Sequence, residues 1–241
     1  MALLEVRGLA RRFGEVTVLE DFSIDVRAGR AVALVGANGA GKSTVLRCVT
    51  GADVPTEGTV TLDGEAMDER SARCRAMLAS VLDDLDFFPD LSVVEHLDLV
   101  ARAHAVPDAD ELVDDVLHEL RLIDHSGQLP NTLSSGQRRR MALATAFVRP
   151  RRLLVLDEPE QRLDTEGLAW LTARLRAEKR DGLAILFASH DQDLVAAVAD
   201  EVVEVGGAGP GRAVTVTSAS SPKPGQSGKS GKPRKSGKPR P

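Results

Sequence analysis

Gly36-Ala37-Asn38-Gly39-Ala40-Gly41-Lys42-Ser43-Thr44 follows the apolar run Ala31–Val35 without a break, and that junction decides the fold. The pattern, G-x-x-x-x-G-K-[ST] after a buried strand and before a helix, is the one that wraps a chain around phosphate. Glycine at 36, 39 and 41 removes the Cβ that would block the positive φ angles of the wrap. The successive N–H groups of this loop, residues 36 to 44, then point inward, and the helix starting near Gly41 adds the positive end of its dipole. Lys42 can bridge β- and γ-phosphates, Ser43 can offer its hydroxyl to Mg²⁺, and Thr44 lies close to the α-phosphate. A chance glycine-rich turn is the alternative, and it does not explain a strand and a helix both in register. The expected ligand is a nucleoside triphosphate.

Working outward, strands and helices alternate. Leu3–Val6 and Ser23–Val26 read as edge strands and Gly58–Leu62 as another short strand. Leu153–Leu156 and Ala184–Phe187 are uninterrupted apolar strands, which means a parallel sheet covered on both faces. Ahead of these two strands, residues 78–148 are expected to form a helical subdomain inserted into the sheet domain. Ser92 and Glu95 have capping-box spacing there. Asp108 opens the next helix, with an apolar stripe at Leu112, Val113, Val116, Leu117 and Leu120 that ordinary core packing explains. The fold class is α/β: a phosphate-loop NTPase parallel-sheet core with an antiparallel β edge and the helical insertion.

The chain has 241 residues, 42% of them hydrophobic, enough for one domain of residues 2–217. No apolar run approaches the about 18 residues of a membrane span, and the N-terminus has no apolar signal core. Cys48 and Cys74 have no metal-ligand spacing, as expected of reduced thiols in a cytoplasmic protein. Aromatics are 3% with no Tyr, so base-stacking nucleic-acid contacts are poorly supplied and no specific nucleic acid is expected. The net charge is −5, yet the last 24 residues hold seven Lys or Arg and no acid. That segment, 218–241, repeats Ser-Gly-Lys among prolines and has no large apolar residue, a composition that predicts a disordered basic tail.

Leu153–Leu156 runs into Asp157-Glu158-Pro159. An acid at the carboxyl end of a buried strand can hold Mg²⁺, and a second beside it can take a proton from an attacking water. Leu133-Ser134-Ser135-Gly136-Gln137 precedes three arginines and an Ala-rich helix. Ser134 and Gln137 again have capping-box spacing, so a helix should start here and present its positive end.

In this order and spacing the motifs resemble those of ATP-binding-cassette ATPases, over roughly residues 2–207. The resemblance makes Leu133–Gln137 the signature, with Ser134, Gly136 and Gln137 binding the ATP of a partner. It makes Phe13 the aromatic that stacks on adenine, Asp157 the Mg²⁺-associated acid and Glu158 the general base. Lys42 and His190, the switch histidine of Ala188-Ser189-His190-Asp191, complete the catalytic set. Leu163-Asp164 matches the loop that touches the partner. The family's Q-loop glutamine is replaced by Asp83, or by Asp84 if the register slips by one; a carboxylate there can ligate Mg²⁺ but cannot donate a hydrogen bond. Ser135, Glu160 and Arg162 also depart from the usual residues.

The resemblance implies an ATPase whose two cassettes, as homodimer or heterodimer, close head to tail on ATP and open on hydrolysis. With one cassette and no span, the chain is expected to be the ATPase subunit of a bacterial transporter. It would be cytoplasmic and held on the inner face of the membrane by a separate transmembrane permease, with export preferred to import because no C-terminal regulatory domain is present. The alternative is a soluble cassette protein acting on DNA or ribosomes, which only the basic tail favours.

Overall fold

The computed structural model describes residues 1–82 and 86–206, and the backbone of 216–218. A six-stranded sheet forms the centre, in the order β10 (Val216–Ser218), β9 (Glu201–Glu204), β3 (Ala31–Val35), β8 (Ala184–Ala188), β7 (Leu153–Asp157), β6 (Leu78–Val81). Every pairing is parallel except that of β10 with β9. All residues of β7 and β8 are buried.

The alternation of side chains along a strand divides the core in two. Leu154 and Leu156 of β7 join one cluster with Ile185 and Phe187 of β8, while Leu153 and Val155 join the other with Leu186 and Ala188. Each such buried side chain contributes about 1.5–3 kcal/mol, which is why the strands contain no polar residue before Asp157.

The second cluster is roofed by a four-stranded antiparallel sheet, β2 (Val16–Val26), β1 (Leu4–Phe13), β4 (Glu57–Leu62), β5 (Glu65–Ala66). Between the sheets lies α1 (Lys42–Thr50), whose Val45, Leu46 and Val49 pack with Leu4, Leu9, Phe22 and Leu62. The expected edge strands Leu3–Val6 and Ser23–Val26 are the ends of this longer β1–β2 hairpin. Register shifts after Val6, Leu9 and Arg11 break its alternation and hide it from the sequence.

The first cluster is covered by α3 (Val93–Ala103), α4 (Ala109–Glu119), α5 (Ser135–Phe147), α6 (Thr165–Arg180) and α7 (Gln192–Val198). Ser92 and Glu95 form the expected capping box on α3. Asp108 precedes α4 as expected but sits in the left-handed region at φ 51° and makes no side-chain cap hydrogen bond. The expectation of helix from residue 78 is corrected: Leu78–Val81 is an edge strand of the central sheet, preceded by the short α2 (Ala72–Met77). Four residues are too few for periodicity to separate strand from helix. Among the described residues no helix is long and apolar enough to cross a membrane. Residues 219–241 and Asp83 lie outside the described residues.

Candidate functional site

The site is built where β3, held between β8 and β9, releases the chain into α1. Gly36 has φ 144°, and a Cβ there would meet the Val205 carbonyl oxygen at 2.3 Å. Gly41, at φ 100°, precedes the helix, and its missing Cβ makes room for Leu19. Gly39 has φ 78° and faces open space. Two glycines thus fit the loop to the protein and one leaves it open toward a ligand. Lys42 is 6% exposed. Its ammonium folds back over the loop, donating to the carbonyl oxygens of Gly36 (2.9 Å) and Ala37 (3.1 Å), with His190 Nε2 at 3.1 Å.

Opposite, β7 delivers Asp157, buried, and then Glu158, whose φ of 42° is left-handed for a residue with a Cβ. Such a backbone needs external support, and it has it. The Glu158 N–H donates to the Ala188 carbonyl (2.9 Å), joining the chain just after β7 to the end of β8. The buried Arg139 guanidinium of α5 donates to the carbonyls of Asp157 (2.6 Å) and Glu158 (2.7 Å), and its Nε to that of Pro159 (3.4 Å). Glu158 Oε1 then lies 3.2 Å from His190 Nε2, while its Oε2 accepts from the Gln161 amide.

Lys42, His190 and Glu158 therefore meet in one cleft of about 620 Å³, lined also by Val18, Asn38, Gly39, Gly41, Ser43, Thr44, Glu160, Gln161 and Asp191. The left-handed glycines and the start of α1 fit a polyphosphate. Ser43, which lines the cleft, and Asp157, which is buried at the end of β7 and does not line it, are both hard oxygen donors of the kind Mg²⁺ takes, one or two from the protein and the rest from phosphate and water. No group of three or more His, Cys, Asp or Glu among the described residues forms a dedicated metal cage.

The signature lies elsewhere. Ser134 caps α5 by accepting from the Gln137 N–H, and the Gln137 side chain returns a bond to the Ser134 N–H. Gly136 packs against the Arg162 carbonyl, where a Cβ would sit at 3.0 Å. None of these residues lines the cleft of its own chain. Phe13, at the tip of the β1–β2 hairpin, is half exposed beneath the Arg11 guanidinium at 4.3 Å and does not line the cleft either. Leu163-Asp164 leads into α6, where Asp164 accepts from the Gly167 N–H (2.7 Å) and from Arg140 (2.8 Å); that backbone bond first, and the cation second, hold its carboxyl below the usual range. Arg139 and Gln161 belong to the site and were not singled out by their spacing. Arg139 follows the signature as one of three arginines, and only its burial sets it apart.

This phosphate loop, with an acid pair across the cleft and a capped signature helix outside it, defines an ATP-binding cassette. The ABC transporter family model matches residues 19–161, and the chain belongs to that family. It is 34% identical over 193 residues to the spermidine/putrescine import ATP-binding protein PotA of Pseudomonas aeruginosa, across 79% of this chain and 53% of that protein. It is 32% identical over 205 residues to the SkfA peptide export ATP-binding protein SkfE of Bacillus subtilis, across 84% and 85%. A solved ATP binding subunit of an ABC transporter superposes with a TM-score of 0.82 at 28% identity, over 90% of each chain. The chain spans about half the length of the PotA proteins it matches.

Proposed function

We propose that this chain is the ATP-binding and ATP-hydrolysing subunit of a bacterial ABC transporter, peripheral on the cytoplasmic face through separate transmembrane permease subunits. The observation that carries the reading is the convergence of Lys42, His190 and Glu158 on the glycine-lined cleft. Glu158 is the general base that takes the proton of the attacking water. His190, between Glu158 and Lys42, holds that edge of the site, and Lys42 offsets phosphate charge as it builds in the transition state. Mg²⁺ at Ser43 and Asp157 would supply further neutralisation of the phosphates.

The position of the signature supports a second cassette, in a homodimer or heterodimer. Ser134, Gly136 and Gln137 stand outside their own cleft, so head-to-tail pairing would bring them to the ATP of the partner. ATP then favours the closed dimer because its γ-phosphate contributes contacts made only there, and hydrolysis removes them. Relatives named for import and for export match at similar identity, so direction and substrate rest with the membrane partner.

The test is ATP turnover and nucleotide affinity of wild type and Glu158→Gln. Loss of the base should cost about 10²–10⁴-fold in kcat and leave ATP binding intact. Turnover within about twofold of wild type would sink the assignment of the base.

A further inference from the structure

Glu160 departs from the usual residues of its family position, and the structure gives it a specific place. Its Oε1 accepts two hydrogen bonds from the switch segment: the Ser189 hydroxyl at 2.6 Å and the His190 N–H at 3.1 Å. Ser189 is 1% exposed, and its hydroxyl oxygen accepts in turn from the Asp191 N–H at 3.0 Å. The chain from 188 to 191 is thus tied to the chain from 157 to 160 at two levels, by the Glu158 N–H on Ala188 and by the Glu160 carboxylate on Ser189 and His190. The second tie fixes the backbone from which the imidazole reaches Glu158 and Lys42.

We propose that Glu160 is a positioning residue for the switch histidine: its carboxylate clamps the Ser189–His190 turn so that the imidazole stands between the general base and the phosphate-loop lysine. The proposal rests on the ATPase reading above for its effect on turnover, but not for its effect on His190 itself.

The clamp makes three demands. It needs an acceptor at Oε1, which glutamine retains and alanine does not. It acts through His190, so its effect disappears when the imidazole is gone. It also acts before nucleotide arrives, because both bonds are internal to the chain. A carboxylate that touched nucleotide directly would meet none of the last two conditions.

The first experiment is NMR of the nucleotide-free protein with labelled histidine, the His190 ring signal assigned by its loss in His190→Ala. Glu160→Ala should displace or broaden that signal, and Glu160→Gln should leave it near its wild-type position. Ser189→Ala, which keeps Glu160 but removes one donor, should give a smaller displacement and serves if Glu160→Ala does not fold. An unmoved His190 signal in the folded alanine variants overturns the clamp whether or not the protein hydrolyses ATP.

The second experiment is steady-state ATPase kinetics. Losing an acceptor of two hydrogen bonds should lower kcat about 10- to 100-fold, with KM for ATP within about twofold because the phosphate loop is untouched. Glu160→Gln should recover most of the loss. In the His190→Ala background the added Glu160→Ala should cost nothing further. An equal further loss there would show that Glu160 acts on nucleotide or metal, and would overturn the proposal while leaving the ATPase reading standing.

Discussion

Replacing Gly36 by alanine puts the phosphate loop to a quantitative test, because the same substitution at Gly39 provides its control. A Cβ at Gly36 would stand 2.3 Å from the Val205 carbonyl oxygen, on a backbone at φ 144°. Val205 cannot simply withdraw, since its N–H donates to Val35 at 2.8 Å in continuation of the β3–β9 pairing. Relief of the clash, about 1 Å of movement, costs about 1–3 kcal/mol as overpacking, and the backbone adds about 1–3 kcal/mol. Gly36→Ala should therefore lose about 2–6 kcal/mol of the roughly 5–15 kcal/mol that stabilises an ordinary domain. Its Tm should fall by about 4–24 °C at about 2–4 °C per kcal/mol. At Gly39 a Cβ meets nothing within 4 Å, so only the strain of φ 78° remains, about 1–2 kcal/mol. That Cβ instead enters the cleft, and ATP affinity should weaken by about tenfold, or about 1.4 kcal/mol. The assay is denaturant unfolding of both variants beside nucleotide titration. Equal stability losses, or a Gly36→Ala protein as stable as wild type, would refute the close approach of the loop to Val205.

Other expectations follow from single contacts. Arg139→Ala removes the support under the left-handed Glu158, so unfolding should show a loss of about 2–4 kcal/mol and kcat should fall with it. Glu178→Ala deprives the largely buried Arg151 of its carboxylate and should cost about 2 kcal/mol by the same measurement. Burial pushes the Cys48 thiol up to about 11, so it should resist maleimide at pH 8 in the native protein and react on unfolding. The Asp164 carboxyl is held below its usual range, so its contribution is present above the ordinary carboxylate pKa and is lost as pH falls through the folded value. Asp164→Ala should thus melt below wild type at pH 7, and the two curves should converge in acid.

The strand–loop–helix at 31–50 was legible in the sequence because each residue type there answers one local demand: apolar for a doubly covered strand, glycine for positive φ, lysine for charge. Leu153–Asp157 was legible for the same reason, and the Ser92 and Ser134 caps because a capping box is a four-residue pattern. The β1–β2 hairpin was not, since its shifts after Val6, Leu9 and Arg11 erase a period of two. Leu78–Val81 was too short to declare itself and owes its state to pairing with β7, 75 positions further along the chain. The clamp by Glu160 and the fork of Arg139 are long-range contacts between side chain and backbone, and no local pattern carries those. Glu158, Lys42 and His190 were legible as types in order, but their convergence is a property of the sheet that sets β3, β7 and β8 side by side.

If the cleft holding Lys42 and Glu158 is completed by the signature of another cassette, as proposed, two proteins defective in opposite parts should rescue each other when mixed. Lys42→Ala disables the cleft and spares the signature; Ser134→Arg does the reverse. Each alone should be nearly inactive. Mixed in equal amounts under conditions that permit exchange, half of the dimers contain one of each chain, and each of these has one intact site of two. ATPase activity of the mixture should reach about one quarter of wild type. Activity no higher than the mean of the two separate variants would contradict completion by the partner's signature.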